Sequence, residues 1–145
     1  MLFRSSLDGG LSWNPSADLA LMPGWLGLSD PALTWDDASN VFLMGLIFRR
    51  PLPGETCEFA DVCLIGMAVY KSTDEGRTWG VPYVVDLHDG DDKQWIVTDL
   101  SPISPFHGHV YAAWDEGSSL GFARTIDHGV TWIGAGTQPA GTHGK

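Results

Sequence analysis

The sequence predicts an all-β protein built from short antiparallel strands, and three observations lead to this prediction. Eighteen glycines and nine prolines are spread along the 145 residues and separate short apolar runs, a pattern typical of strands joined by turns. An octapeptide recurs three times without gaps, and the same order of strands precedes its second and third copies. A hydrophobic content of 43% with 18% charged residues is enough for a packed core.

The repeated octapeptide reads Ser/Thr-x-Asp-x-Gly-x-Ser/Thr-Trp. It spans residues 6–13, 72–79 and 125–132, and its aspartates recur at intervals of 66 and 53 residues. Such intervals suit one four-stranded unit with loops of variable length. The positions that define the three copies are Ser6, Asp8, Gly10 and Trp13, then Ser72, Asp74, Gly76 and Trp79, and finally Thr125, Asp127, Gly129 and Trp132.

The residue types in the octapeptide suit a tight turn between two strands. The aspartate can accept hydrogen bonds from backbone N–H groups across the turn. The glycine two positions later permits a positive φ angle that a side chain would strain. The tryptophan begins the outgoing strand, where it can bury a large ring. We therefore assign the octapeptides a structural role and expect all three tryptophans to be more buried than the average residue.

The strands follow a repeated order of strand, strand, strand, octapeptide and strand. The first three strands of one copy are predicted at residues 30–36, 40–48 and 66–71, and those of the next at 92–99, 109–114 and 120–124. Residues 2–5 resemble the third strand of an earlier unit whose first half is absent. These boundaries divide the chain into the segments 1–28, 29–88 and 89–145.

The octapeptides resemble the Asp-boxes, or BNR repeats, of the sialidase-like β-propellers. Segments 92–99 and 104–114 are also similar to inner-strand segments of bacterial exo-α-sialidase-like proteins. The resemblance covers nearly the whole chain. It implies one partial β-propeller domain over residues 1–145, with about two and a half blades of four antiparallel strands from a ring of about six or seven. It also implies that the octapeptides lie on the outer rim, away from any substrate.

Candidate binding residues lie in the connections on the opposite face from the octapeptides. If the strands run from centre to rim, the second-to-third and fourth-to-first connections share that face. The candidates there are Arg49, Arg50, Asp92, Lys93 and Glu116. The resemblance implies a sialidase site with three arginines, a Tyr–Glu pair and an acid/base Asp. The Phe-Arg-Ile-Pro signature is not matched by residues 48–51, and no complete catalytic set is visible, so the catalytic residues stay unknown.

Two functions are compatible with this resemblance. One is a fragment of a secreted sialidase-like glycoside hydrolase that acts on or binds carbohydrate and is inactive in isolation. The alternative is a non-catalytic propeller that binds a protein or a glycan through the same face. The expected partners are a carbohydrate ligand and either the remaining blades of the propeller or a second copy of the chain.

The charge and hydropathy of the chain exclude two classes of partner. A formal net charge of −10 repels nucleic acid and anionic membrane surfaces. No apolar run is long enough for a membrane span, so none is expected. Residues 1–10 have no apolar core of a signal peptide, so the secreted, periplasmic or cell-surface location that the resemblance implies would need a leader outside this chain.

Cysteines and acidic runs give three further expectations. Cys57 and Cys63 are six positions apart in one loop, where an oxidising compartment would favour a disulfide; two reduced thiols are the alternative. No metal and no cofactor are expected, because His107 and His109 have no third ligand at a defined spacing. The acidic run 86–92 could bind calcium, but its spacing differs from an EF-hand loop, and a solvated acidic loop is favoured.

Overall fold

The computed structural model describes residues 2–15, 17–57, 59 and 61–137, and this part of the chain contains ten β-strands and no helix. The last residues of the predicted segment 89–145 lie outside it. The strands are β1 Leu2–Phe3, β2 Ala17–Asp18, β3 Gly27–Trp35, β4 Val41–Arg49, β5 Cys63–Ser72, β6 Tyr83–Asp86, β7 Asp92–Thr98, β8 Val110–Asp115, β9 Leu120–Thr125 and β10 Ile133–Thr137.

The strands form three sheets, and every pairing is antiparallel. β1 and β2 form an N-terminal ribbon, β3 to β6 form a first four-stranded sheet in chain order, and β7 to β10 form a second. The predicted all-β class and the antiparallel sheets are thereby confirmed. The three sheets do not close into a ring within the described residues, so the propeller stays a prediction.

The second and third octapeptides connect the third and fourth strands of the two four-stranded sheets. One runs from Ser72 at the end of β5 towards β6, and the other from Thr125 at the end of β9 towards β10. The register of the two sheets matches, because Val41 pairs with Ser72 as Val110 pairs with Thr125. Residues of the second sheet can therefore be related one by one to residues of the first.

A hydrophobic core lies between the two four-stranded sheets. The first sheet contributes Phe42, Met44 and Met67, all fully buried, and the second contributes Val110 and Trp114. Each such side chain stabilises the fold by about 1.5–3 kcal/mol relative to exposure. The alternation of buried and half-exposed residues along β8 places Val110 and Trp114 on the face towards the first sheet.

A second core lies between the first sheet and the N-terminal ribbon. Leu43, Ile47 and Tyr70 are buried there beneath Leu19. The Tyr70 hydroxyl donates a hydrogen bond of 2.7 Å to the Ala20 carbonyl, which satisfies the one polar atom of this side chain. The first sheet is thus covered on both faces, which explains its nearly continuous run of buried residues in β4.

The octapeptide turns are held by the hydrogen bonds expected of their sequence. Asp74 accepts from the backbone N–H groups of Arg77 and Thr78 at 3.1 and 2.8 Å, and from the Thr78 hydroxyl at 2.6 Å. Asp8 and Asp127 accept the equivalent bonds from Ser12 and Thr131. These donors, the hydroxyl foremost, lower the pKa of each of the three aspartates to about 2.

The three octapeptide tryptophans differ in burial. Trp132 is only 7% exposed and meets Phe42 of the first sheet, whereas Trp79 is half-buried against Phe3 of the ribbon. The expectation of burial is wrong for Trp13, which is 59% exposed. The reason is that Trp79 and Trp132 each pack back on the preceding sheet, and no described strand precedes the ribbon.

Candidate functional site

A cleft of about 610 Å³ opens between the ends of the two four-stranded sheets, at the end of the molecule opposite the octapeptides. This volume is in the range of small-ligand sites. Its lining comes from β3, β4, β5, β7 and β8 and from two connections: Ser29, Asp30, Leu46, Phe48, Phe59, Val62, Leu64, Gly90, Asp92, Lys93 and Asp115. Asp92 and Lys93 are the sequence-predicted candidates among them.

Two matching irregularities in β3 and β7 shape the cleft. The register shifts between Ser29 and Ala32 in β3, and between Asp92 and Trp95 in β7. Asp30 and Lys93 lie inside these shifts with φ angles of 50° and 54°. Side chains rarely adopt such angles, which cost about 1–3 kcal/mol each and cluster at ligand sites. The two irregularities re-aim both side chains towards the cleft.

Gln94 connects the two irregular segments. Its side chain is buried, and its Nε2 donates hydrogen bonds to the backbone carbonyls of Asp30 and Ser29. These carbonyls belong to β3, whereas Gln94 belongs to β7, so the bonds cross between the two sheets. The cleft is therefore fixed by a polar contact as well as by the core beneath it.

The polar wall of the cleft carries more negative than positive charge. The Lys93 ammonium lies 2.6 Å from the Asp92 carboxylate, and this contact lowers the pKa of Asp92. Asp92 raises the pKa of Lys93 most strongly, with smaller effects from Asp30 and Asp115. Asp115 stands directly opposite Asp92 in the β7–β8 register. In the described lining of the cleft, one cation thus faces three carboxylates.

The apolar wall of the cleft contains two aromatic rings. Phe48 lies near the end of β4, and Phe59 lies in the β4–β5 connection with its side chain 50% exposed. Phe59 forms an isolated antiparallel bridge with Val62. A disulfide joins Cys57 to Cys63 around this bridge, with the Cα atoms 5.1 Å apart. The cross-link holds the short segment that presents Phe59.

Arg49 does not line the cleft. Its guanidinium makes a two-pronged contact with the Glu55 carboxylate, with both N–O distances 2.6 Å. This pairing lowers the pKa of Glu55 to about 2 and leaves the charge of Arg49 neutralised within the β4–β5 connection.

Arg50 and Glu116 lie apart from the cleft as well. Arg50 is exposed and borders a separate shallow depression with Asp61. Glu116 lies in the β8–β9 turn, where its carboxylate accepts a hydrogen bond of 3.0 Å from the Ser119 hydroxyl. Of the five candidates, the structure brings only Asp92 and Lys93 together.

Sequence reasoning missed four residues of the site: Asp30, Phe48, Phe59 and Gln94. The sequence predicts Asp30 and Phe48 within strands and gives neither a ligand role, since nothing local distinguishes a side chain at a register shift from its neighbours. Asp30 begins its predicted inner strand as Asp92 begins the equivalent one, and this likeness is the signal in the sequence that points to Asp30.

The acidic run does not form an oxygen cage. Asp91 is fully buried with its Oδ1 3.1 Å from His88 Nδ1, while Asp92 pairs with Lys93. Among the described residues, the groups close enough to share a metal are Glu55, Cys57 and Cys63, and Asp36, Asp37 and His128. The first contains the disulfide sulfurs, which are not available as thiolates. The expectation that the chain takes no metal and no cofactor stays a prediction.

Comparisons with known proteins give one structural similarity. No protein-family model and no curated protein matches the chain. Among solved structures, the chain is similar to "Hadza microbial sialidase Hz136", with 15% sequence identity and a TM-score of 0.39 over 96% of the chain. The chain spans 40% of the length of that sialidase. At this TM-score, the similarity carries no conclusion about activity.

No helix in the described ranges could cross a membrane.

Proposed function

We propose that the chain is a carbohydrate-binding part of a sialidase-like propeller and that its cleft takes an uncharged glycan. The proposal rests on one observation. The carboxylates of Asp92 and Asp115 line the same cleft as the rings of Phe48 and Phe59. Carboxylates accept hydrogen bonds from sugar hydroxyls, and aromatic rings supply flat apolar surface for the C–H face of a sugar.

The charge of the cleft selects among sugars. One ammonium against three carboxylates produces a negative potential, which disfavours an acidic sugar such as a sialic acid. The Arg49 guanidinium, which could grip an acidic sugar, is already bound to Glu55. The cleft therefore suits a neutral oligosaccharide.

Binding without hydrolysis is the function that these side chains support. Glycoside hydrolysis needs a carboxylic acid with a raised pKa beside a second carboxylate. The pKa of Asp92 is lowered by Lys93, so this group is ionised near neutral pH and cannot act as the acid. Burial raises the pKa of Asp91 to about 7, but this side chain is fully buried and is not part of the cleft lining. We accordingly favour the non-catalytic alternative for the isolated chain.

The disulfide supports a location in an oxidising compartment. Disulfides such as Cys57–Cys63 persist in secreted and periplasmic proteins and are rare in the cytosol. We extend the proposal to a secreted, periplasmic or cell-surface protein. A free-thiol assay of the protein purified from its native source would find no reactive thiol; two thiols would contradict this location.

Calorimetric titration with matched neutral and sialylated oligosaccharides tests the binding proposal. We expect measurable binding of a neutral glycan, weaker binding of its sialylated form, and at least a tenfold loss in the Asp92→Ala/Asp115→Ala double variant. Asp18→Ala removes an exposed carboxylate from β2, far from the cleft, and serves as the matched control. Tighter binding of the sialylated form, or unchanged binding by the double variant, would overturn the proposal.

A further inference from the structure

The outer face of the second sheet, which points away from the first sheet, is an apolar surface that no described strand covers. Trp95, Ala113 and Phe122 form one row across β7, β8 and β9 by their register. Val97 and Tyr111 belong to the next row. Trp95 is 70% exposed, and the rings of Tyr111 and Phe122 lie 6.2 Å apart. Such patches mark interaction sites.

The first sheet shows what covers the equivalent face. Phe42 and Met44 occupy the register positions of Tyr111 and Ala113, and both are fully buried beneath the second sheet. The contact is made in part by the third octapeptide, residues 125–132. Its Trp132 packs edge-on against Phe42, and a Cβ atom on its Gly129 would lie 2.6 Å from the Phe42 ring.

A hydrogen bond adds a polar component to this contact between the third octapeptide and the first four-stranded sheet. The Lys71 ammonium donates to the carbonyl of His128, within the third octapeptide, at 2.6 Å. Arg124 holds the register position of Lys71 in the second sheet, because Tyr111 pairs with Arg124 as Phe42 pairs with Lys71. The outer face thus has both the rings and the cation that receive an octapeptide in the first sheet.

The N-terminal ribbon contains, between its two strands, an octapeptide of the kind that makes this contact, residues 6–13. Its octapeptide has the same turn hydrogen bonds as the others, made by Ser6 and Asp8. Its Trp13 occupies the position of Trp132 and is exposed. The carbonyl of Gly9 occupies the position of the His128 carbonyl. Among the described residues, the first octapeptide thus has no sheet packed before it, and the outer face of the second sheet has no octapeptide packed on it.

We propose that two copies of this chain associate head to tail, with the N-terminal octapeptide of one copy seated on the outer face of the second sheet of the other. Trp13 of one copy packs against Tyr111 of its partner, and Arg124 of the partner donates to the Gly9 carbonyl. The interface is heterologous, so each copy keeps one unused end and further copies can add or close a ring. This association is independent of glycan binding in the cleft.

Sedimentation velocity on the full chain tests the association. We expect the wild-type mass to rise with concentration above the 15.7 kDa of one chain. Trp13→Ala and Tyr111→Glu should each remain monomeric. Ile103→Ala removes an apolar side chain that is 92% exposed in the β7–β8 connection, and this control should associate as wild type does.

Mixing the two variants distinguishes this interface from a symmetric one. Trp13→Ala retains an intact outer face, and Tyr111→Glu retains an intact octapeptide, so an equimolar mixture should form a one-to-one heterodimer that neither variant forms alone. Unchanged far-ultraviolet circular dichroism and melting temperature would show that both variants fold. A wild type that stays monomeric at its highest soluble concentration, or folded variants whose mixture stays monomeric, would overturn the proposal.

Discussion

The indole of Trp132 meets the ring of Phe42 edge to face, with centroids 6.4 Å apart and ring planes at 86°. Trp132 belongs to the last octapeptide and Phe42 to the first four-stranded sheet, so this pair joins two repeated units separated by long stretches of chain. Trp79 also packs on the preceding unit, edge to face against Phe3 of the N-terminal ribbon, with centroids 5.3 Å apart. An octapeptide therefore stabilises the contact between units as well as its own turn.

The three tryptophans should differ in their contribution to stability. Trp132→Ala should lower the free energy of unfolding by about 3–5 kcal/mol, because it empties a buried site in the core. Trp79→Ala should cost less, and Trp13→Ala should stay within about 0.5 kcal/mol at concentrations where the protein is monomeric. Urea denaturation monitored by circular dichroism measures all three. An equal loss in all three variants would contradict a contact between units.

The charge of Asp74 should contribute to stability in a defined range of acid pH. Hydrogen bonding lowers the pKa of Asp74 from 3.8 to about 2, so the unfolded chain takes up a proton first as the pH falls. The contribution is complete above about pH 4 and is lost as the pH approaches about 2. Asp74→Asn should therefore be less stable than wild type at pH 6, and the difference should shrink below pH 4. Asp18→Asn is the control, and glycan binding should be unchanged in both variants.

Asp91 should produce a pH dependence of opposite sign. Burial, and secondarily the Asp86 carboxylate, raise the pKa of Asp91 from 3.8 to about 7. The folded protein then binds a proton that the unfolded chain releases, so stability should rise as the pH falls from about 7 to about 4. Asp91→Asn should flatten this rise in unfolding titrations. His88→Gln removes the neighbouring imidazole and should retain it; loss of the rise in His88→Gln alone would assign the effect to His88.

Removal of the disulfide should loosen one wall of the cleft. The Cys57–Cys63 cross-link encloses a short loop, with a sequence separation of 6. Loop-closure entropy predicts a stabilisation of about 2 kcal/mol for such a loop. Cys57→Ser/Cys63→Ser should lose about this amount in urea denaturation and should bind neutral glycans more weakly, since the loop presents Phe59. Unchanged glycan binding would show that the ring of Phe59 does not contact the sugar.

The isolated chain should not hydrolyse a fluorogenic sialoside. Among the described residues, no Tyr–Glu nucleophile pair lines the cleft, and the guanidinium of Arg49 is bound to Glu55. Product release should match buffer alone for the wild type and for Arg49→Ala/Arg50→Ala. Turnover above buffer that disappears in this double variant would show that an arginine-dependent site forms, for example in an assembly of several copies.

The sequence by itself determined the class of fold and the octapeptide turns. Asp74 and Thr78 lie four positions apart along the chain, so the hydrogen bonds between them depend on local spacing alone. The strand order follows from the same short-range pattern of apolar runs and turn residues. The all-β class, the position of the octapeptides between third and fourth strands, and the bonds within those turns could therefore be predicted.

Only the tertiary structure decided which side chains share a cleft and which tryptophan is buried. Asp30 and Lys93 line the same cleft because register shifts in two different sheets coincide, and the pairing of Arg49 with Glu55 depends on the path of one connection. The sequences around Trp13 and Trp132 are alike, yet one ring is exposed and the other buried. The physical reason is that burial of these rings requires a preceding sheet, which is a property of neighbouring units and not of the octapeptide.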